Sequence, residues 1–118
     1  MYNTNNIFNK IIAGDIPAEK LYEDEQLIVI KDINPAAPVH LLVITKGNYI
    51  DLDDFTSNAS DEEIAHYFRQ ISIIAKKNNA TEYRIVSNKG ASSGQSVFHF
   101  HTHILSGINN NKLIDEIL

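Results

Sequence analysis

At 118 residues, 43% hydrophobic and 21% charged with 5 Gly and 3 Pro, the chain reads as one globular domain over 1–118. A chain of that size buries roughly two thirds of its unfolded surface, and the composition excludes a disordered or fibrous polymer. Zero cysteines exclude disulfides, thiolate zinc sites and cysteine nucleophiles, and a net charge of -5, from 10 Lys and Arg against 15 Asp and Glu, repels a nucleic-acid backbone. Its longest apolar runs, Leu27 to Ile30 and Leu41 to Ile44, are far short of the about 20 residues a bilayer span needs. With a polar N-terminus lacking a signal-peptide pattern, the expectation is a soluble cytoplasmic protein without nucleic-acid or membrane partners. A single small anion remains compatible, because a few amides and imidazoles hold one phosphate whatever the global charge.

In chain order, Ile7, Phe8, Ile11 and Ile12 recur at helical spacing behind Thr4 or Asn5 and ahead of Gly14, predicting a short helix over 6–13. Lys20 to Glu23 and Leu27 to Asp32 read as strands of a hairpin across the acidic turn Asp24-Glu25-Gln26. Pro35 and Pro38 lack the N–H a ladder needs, so 34–38 is a loop feeding a strand from His40 to Thr45. A long helix over about 61–78 starts at the capping box Ser60/Glu63 and ends in Lys76 and Lys77, with Ile64, Tyr67, Phe68, Ile71, Ile74 and Ala75 as its buried stripe. His66 falls off that stripe. Strands are predicted from Glu82 to Asn88 and from Ser96 to Leu105, around a glycine- and serine-rich loop from Gly90 to Gly94. In the tail, Leu113, Ile114, Ile117 and Leu118 have helical spacing in an uncapped segment. Short strand connections favour antiparallel pairing, so the fold class is α+β, one long helix across an antiparallel sheet of about five strands.

Four of the five histidines sit in two places: His40 at a strand head, and His99, His101 and His103 alternating along the last strand. Alternation places those three rings on one face at intervals of about 6.6 Å, with Phe98, Phe100 and Thr102 on the other. Three histidines in a row are costly to bury without partners, which disfavours plain core packing. Two imidazoles at i and i+2, joined by His40, are compatible with zinc. The about 13 Å between the backbones of His99 and His103, however, is large against metal–nitrogen bonds of about 2.0–2.1 Å. The same spacing suits phosphoryl chemistry: the middle ring attacks phosphorus while its neighbours and nearby amides hold the non-bridging oxygens. Gly94-Gln95-Ser96 then supplies loop N–H groups and a hydroxyl, or is simply a turn.

The stretch His99-Phe100-His101-Thr102-His103-Ile104-Leu105 resembles the histidine triad signature, His-x-His-x-His followed by two apolar residues. Further matches are Ile7-Phe8 with Lys10-Ile11-Ile12, Asp15-Ile16-Pro17-Ala18, Tyr22-Glu23-Asp24, Asp32-Ile33, Pro35 with Ala37-Pro38, His40, and Gly94-Gln95-Ser96-Val97. On these grounds the chain resembles the histidine triad (HIT) family, nearest its Hint branch, over most of its length.

The resemblance implies a HIT-like fold and a nucleoside phosphoramidate hydrolase that cleaves a P–N bond at the α-phosphate of a purine nucleotide through a covalent nucleotidyl-histidine, without cofactor or metal. It implies His101 as the nucleophile, His103 on the α-phosphate, Ser96 beside the leaving group, and His99 and His40 as partners that orient the rings. By the same resemblance Asp32 holds ribose hydroxyls, Asn88 lies on the phosphate side, Gly94, Gln95, Ser96 and Val97 are substrate-binding, and Ile7, Phe8, Ile11, Ile16, Ile30, Ile33 and Leu42 bound the base. A homodimer, formed by the long helix and the Glu82 to Asn88 edge, is implied too. Other readings are a non-catalytic purine-nucleotide sensor and a dinucleoside polyphosphate hydrolase. From the residues alone Asp32 is better explained as a turn carboxylate and the isoleucines and Phe8 as core, and Asn88 is also compatible with a cap on a turn. Two departures from the family pattern stand out: Thr102 replaces an apolar residue, and the tail lacks the tryptophan that shapes the leaving-group side, so leaving-group preference does not carry over.

Overall fold

The computed structural model describes residues 1–107; the helical pattern read in the tail lies outside them. Five antiparallel strands form one sheet in the order β1-β2-β3-β5-β4. These are β1 (Lys20–Glu23), β2 (Leu27–Lys31), β3 (Val39–Thr45), β4 (Arg84–Val86) and β5 (His101–Ser106), with helices α1 (Ile7–Ala13), α2 (Leu52–Asn58) and α3 (Asp61–Lys77).

The helices begin and end where side chains satisfy their free backbone groups. The Asn6 side chain caps α1 by accepting from Asn9 N–H, and Gly14, left-handed at φ 84°, closes it through a bond from its N–H to the Ile11 carbonyl. The expected caps at Thr4 or Asn5 are thus one or two residues early. Ser60 caps α3 as predicted, accepting from Glu63 N–H, whereas the Glu63 carboxylate accepts from the Tyr49 hydroxyl.

Alternation along the strands gives the sheet two different faces. Leu27, Val29, Leu41, Val43, Phe100 and Ile104 pack beneath α2 and α3 against Phe55, Tyr67, Ile71 and Ile74. Ile28, Ile30, Leu42 and Ile44 pack beneath α1 against Phe8 and Ile11. Phe68, expected on the buried stripe of α3, is 40% exposed, and the helix buries the narrower stripe of Tyr67, Ile71, Ile74 and Ala75.

Helix α2 was not foreseen from the sequence. Only Leu52 and Phe55 among its seven residues are large apolar groups, too few to show a period; its signal is the Asp51 cap, which accepts from Asp54 N–H. The last strand is also shorter than predicted. Residues 97–99 bend, and Phe100 N–H bonds to the Tyr49 carbonyl at 2.7 Å, so 96–100 docks on the turn after β3 and pairing begins at His101. In consequence Phe98 is exposed instead of following Phe100 into the core. Likewise the 82–88 segment pairs only over Arg84–Val86, and Asn88 sits in the following loop. Asp32, placed at the end of the second strand, falls just beyond β2.

Candidate functional site

In the β3–β5 pairing Ile44 faces His101, Leu42 faces His103 and Leu105 faces His40, so these rings share the α1 face. His99, although outside the strand, keeps to the same side and lies edge-on to Phe8 at 6.2 Å between ring centroids. Helix α1 covers only part of this face, and the remainder is a pocket of about 350 Å³, at the lower end of the usual volumes for small-molecule sites. His101 and His103 form part of its floor. Ile7, Phe8, Ile11, Ile30, Leu42, Ile33 and Val97 give it apolar walls, while Asp32, Asn88, Gly94 and Ser96 also line it.

Four residues predicted for the site do not line this pocket. His99 is fully buried behind it and His40 is 5% exposed. Ile16 packs at the edge of the α1 core. Gln95, named as substrate-binding, spends its side chain on the loop: its amide donates to the carbonyls of Ile50 at 2.8 Å and Val97 at 3.2 Å, and its Oε1 accepts from Gly90 N–H. This brace shapes the 90–97 segment. There Gly94 adopts φ 95°, and a Cβ at that position would lie 3.7 Å from Asn88 Nδ2. Lys31 and Asn34 also line the pocket and were not foreseen; adjacency to Asp32 was their only sequence signal.

Hydrogen-bond partners assign the ring protons. Ala36 N–H donates to His40 Nδ1 at 3.0 Å, so the His40 proton is on Nε2, from which it is donated to His103 Nδ1 at 2.9 Å. His103 therefore carries its own proton on Nε2. The His101 proton is on Nδ1, donated to the His99 carbonyl at 2.7 Å, which leaves Nε2 with a free lone pair. His99 is fixed from both sides: its Nε2–H donates to the Thr45 carbonyl and its Nδ1 accepts from the Tyr2 hydroxyl. Two adjacent rings thus take opposite forms, His101 with an acceptor Nε2 and His103 with a donor Nε2.

Burial keeps these rings neutral. It pushes His99 and His101 below the ordinary histidine value, against the opposing bonds to the carbonyls of Thr45 and His99. His103 is pushed down to about 4, by burial first and then by His101 and His40. His40 is also lowered by burial, with Asp32 opposing. The 3.4 Å approach of His40 Nε2 to Asp32 Oδ2 is therefore a contact between a carboxylate and a neutral ring rather than an ion pair. Asp32 Oδ1 accepts from Asn34 N–H at 2.8 Å, so the turn-carboxylate reading of Asp32 holds, and the same carboxylate also lines the pocket.

Fold and site together define a class: a small α+β domain whose central antiparallel strands hold neutral histidines of fixed tautomer at the floor of a half-apolar pocket. A family model described as "Scavenger mRNA decapping enzyme C-term binding" matches residues 5–114. An uncharacterised HIT-like protein of Rickettsia prowazekii is 50% identical over 119 residues, covering 94% of this chain and 99% of the relative. A HIT family hydrolase from Clostridium thermocellum, solved as a structure, has a TM-score of 0.85 at 37% identity, covering 95% of this chain and 98% of that one. The chain belongs to the histidine triad family. A 14 kDa zinc-binding protein of Zea mays is also similar, 41% identical over 107 residues and covering 86% of this chain and 80% of the relative.

Zinc binding by that relative calls for a test of fit. Asp32, His40 and His103 each bring one ligand atom within 4.8 Å of the others. The donor types suit zinc, but the proton placement opposes a cation. A metal on His40 Nε2 displaces that proton to Nδ1, where it would oppose the N–H of Ala36 that already donates there.

Proposed function

We propose that this protein is a hydrolase that cleaves the P–N bond of purine nucleoside phosphoramidates at the α-phosphate. The observation that carries the reading is the tautomer of His101: with Nδ1–H tied to the His99 carbonyl, Nε2 presents a lone pair on the pocket floor. In the first step Nε2 bonds to phosphorus as the P–N bond breaks, and the amine leaves with a proton, the Ser96 hydroxyl being the nearby group suited to pass one. In the second step water attacks phosphorus and gives one proton to the Ser96 oxygen, replacing the one passed to the amine, while the N–P bond to His101 breaks and the nucleoside monophosphate departs with His101 neutral again. His103 Nε2–H stabilises the non-bridging oxygens where negative charge grows, in a setting shielded from water. Asn88 and the 94–97 backbone flank the phosphate, Asp32 accepts from ribose hydroxyls, and the apolar wall takes the flat base.

The test is mass spectrometry of protein quenched during turnover of adenosine phosphoramidate. A nucleotidyl adduct on His101, absent from His101→Gly, is expected; turnover without any adduct on that ring would sink the covalent scheme.

The protein is further proposed to act as a homodimer. Ile85 on edge strand β4 is 47% exposed, and Phe68 and Ile73 on α3 are 40% and 43% exposed, leaving, among the described residues, an unpaired strand edge and exposed apolar groups on α3 available to a second copy. Light scattering at micromolar concentration is expected to give twice the chain mass, and a monomer contradicts the assembly.

A further inference from the structure

The N-terminal segment reaches the triad through one hydroxyl. The Tyr2 hydroxyl donates to His99 Nδ1 at 2.5 Å across 97 residues of sequence, and its oxygen accepts from Asn6 Nδ2 at 2.9 Å. Asn6 is the cap of α1, and α1 carries Phe8, whose ring lies edge-on to His101 at 4.8 Å between centroids. Tyr2 itself is not on the pocket wall.

We propose that Tyr2 is a positioning residue for the reacting histidine, acting through His99 on the orientation and proton placement of His101. His99 is fully buried, so its Nδ1 needs a donor, and Tyr2 supplies one. With Nδ1 occupied, the ring proton belongs to Nε2 and holds the Thr45 carbonyl, and both ends of the ring are anchored. The anchored residue presents the carbonyl that takes the His101 Nδ1–H. Removing the hydroxyl leaves His99 free to exchange tautomers or turn over. The carbonyl beside it then no longer selects one form of His101, and the fraction of molecules with the Nε2 lone pair facing the pocket falls. The same hydroxyl also accepts from the Asn6 amide, whose Oδ1 caps α1 independently of Tyr2, so α1 and its apolar wall keep their place without it.

This inference rests on the proposed reaction, and its test separates the two. Tyr2→Phe keeps the ring and deletes one oxygen. With adenosine phosphoramidate, kcat is expected to fall about tenfold while KM stays within about twofold, since the loss is in alignment and not in binding. In the 15N-labelled protein, the ring nitrogens of His101 are expected to shift from the pattern of a single Nδ1–H form to a mixture. Unchanged kcat with an unchanged His101 nitrogen pattern overturns the proposal, as does a raised KM at constant kcat, which would make Tyr2 part of the binding wall. If the wild-type protein does not turn over the phosphoramidate, the reaction is wrong but the nitrogen spectra still decide whether Tyr2 governs His101.

Discussion

On one side of the sheet, Phe100, Thr102 and Ile104 enter the interior beneath α2 and α3; on the other, His101 and His103 face a pocket that α1 only partly closes. The first side uses polar groups sparingly: the Tyr67 hydroxyl donates to the Val43 carbonyl at 2.7 Å and lies 2.9 Å from Thr102 Oγ1, whose own proton can be given to it. Thr102, odd for its place in the family pattern, is thereby explained as the partner of a buried tyrosine. The second side uses imidazoles almost throughout, each with a partner that fixes its proton. The pleat thus keeps stability and chemistry apart residue by residue, so changes on one side should leave the other's property nearly intact.

The strongest test of that separation is on the reactive side. His101→Gly is expected to lower kcat by at least about 10³-fold while AMP affinity by calorimetry stays nearly unchanged and the urea midpoint barely moves. Near-normal turnover would exclude the nucleophilic role. Phe100→Ala is the converse, removing a ring stacked on Phe55 at 4.8 Å between centroids. A loss of about 3–5 kcal/mol in urea unfolding is expected. The protein that remains folded should keep its kcat, and a parallel fall in kcat at full folding would break the comparison.

Over the mild range acid acts on the histidines of the reactive side. In the proposed reaction the neutral form of His101 attacks, and burial holds its pKa below the ordinary 6.5, so kcat/KM should be flat from pH 8 to about 6.5 and decline only below. The same groups make stability acid-sensitive. His103 titrates at about 4 in the fold against 6.5 when free, so between those values the unfolded chain binds more protons and stability drops as pH falls. Thermal unfolding from pH 7 to 4 should show this slope, and a flat profile would mean the ring is not buried as described. The smallest effect is sought at Tyr67→Phe, which leaves the buried Thr102 hydroxyl short of a partner. A cost of about 1 kcal/mol in unfolding with unaltered kcat is expected; altered kcat would show the two sides to be coupled.

Much of this could be read in the residues. Five strands, the long helix and the shared face of His101 and His103 follow from alternation and capping, because those signals are local, whereas His40 joins that face only through the β3–β5 register. Other features depend on contacts distant in sequence. The true start of β5 is decided by Phe100 N–H meeting Tyr49, the duty of Gln95 by the Ile50 carbonyl, and the protons of the rings by Ala36, Thr45 and Tyr2. Helix α2 escaped because seven residues with two apolar anchors carry no measurable period.

The donor that orders His40, and through it His103, is a peptide group in the loop between Pro35 and Pro38. Every amino acid except proline brings that N–H, so position 36 is free to drift through almost the whole alphabet without disturbing the protons downstream. The arrangement is insured against side-chain replacement there, and a single imino acid at that one place is the substitution to which it is vulnerable.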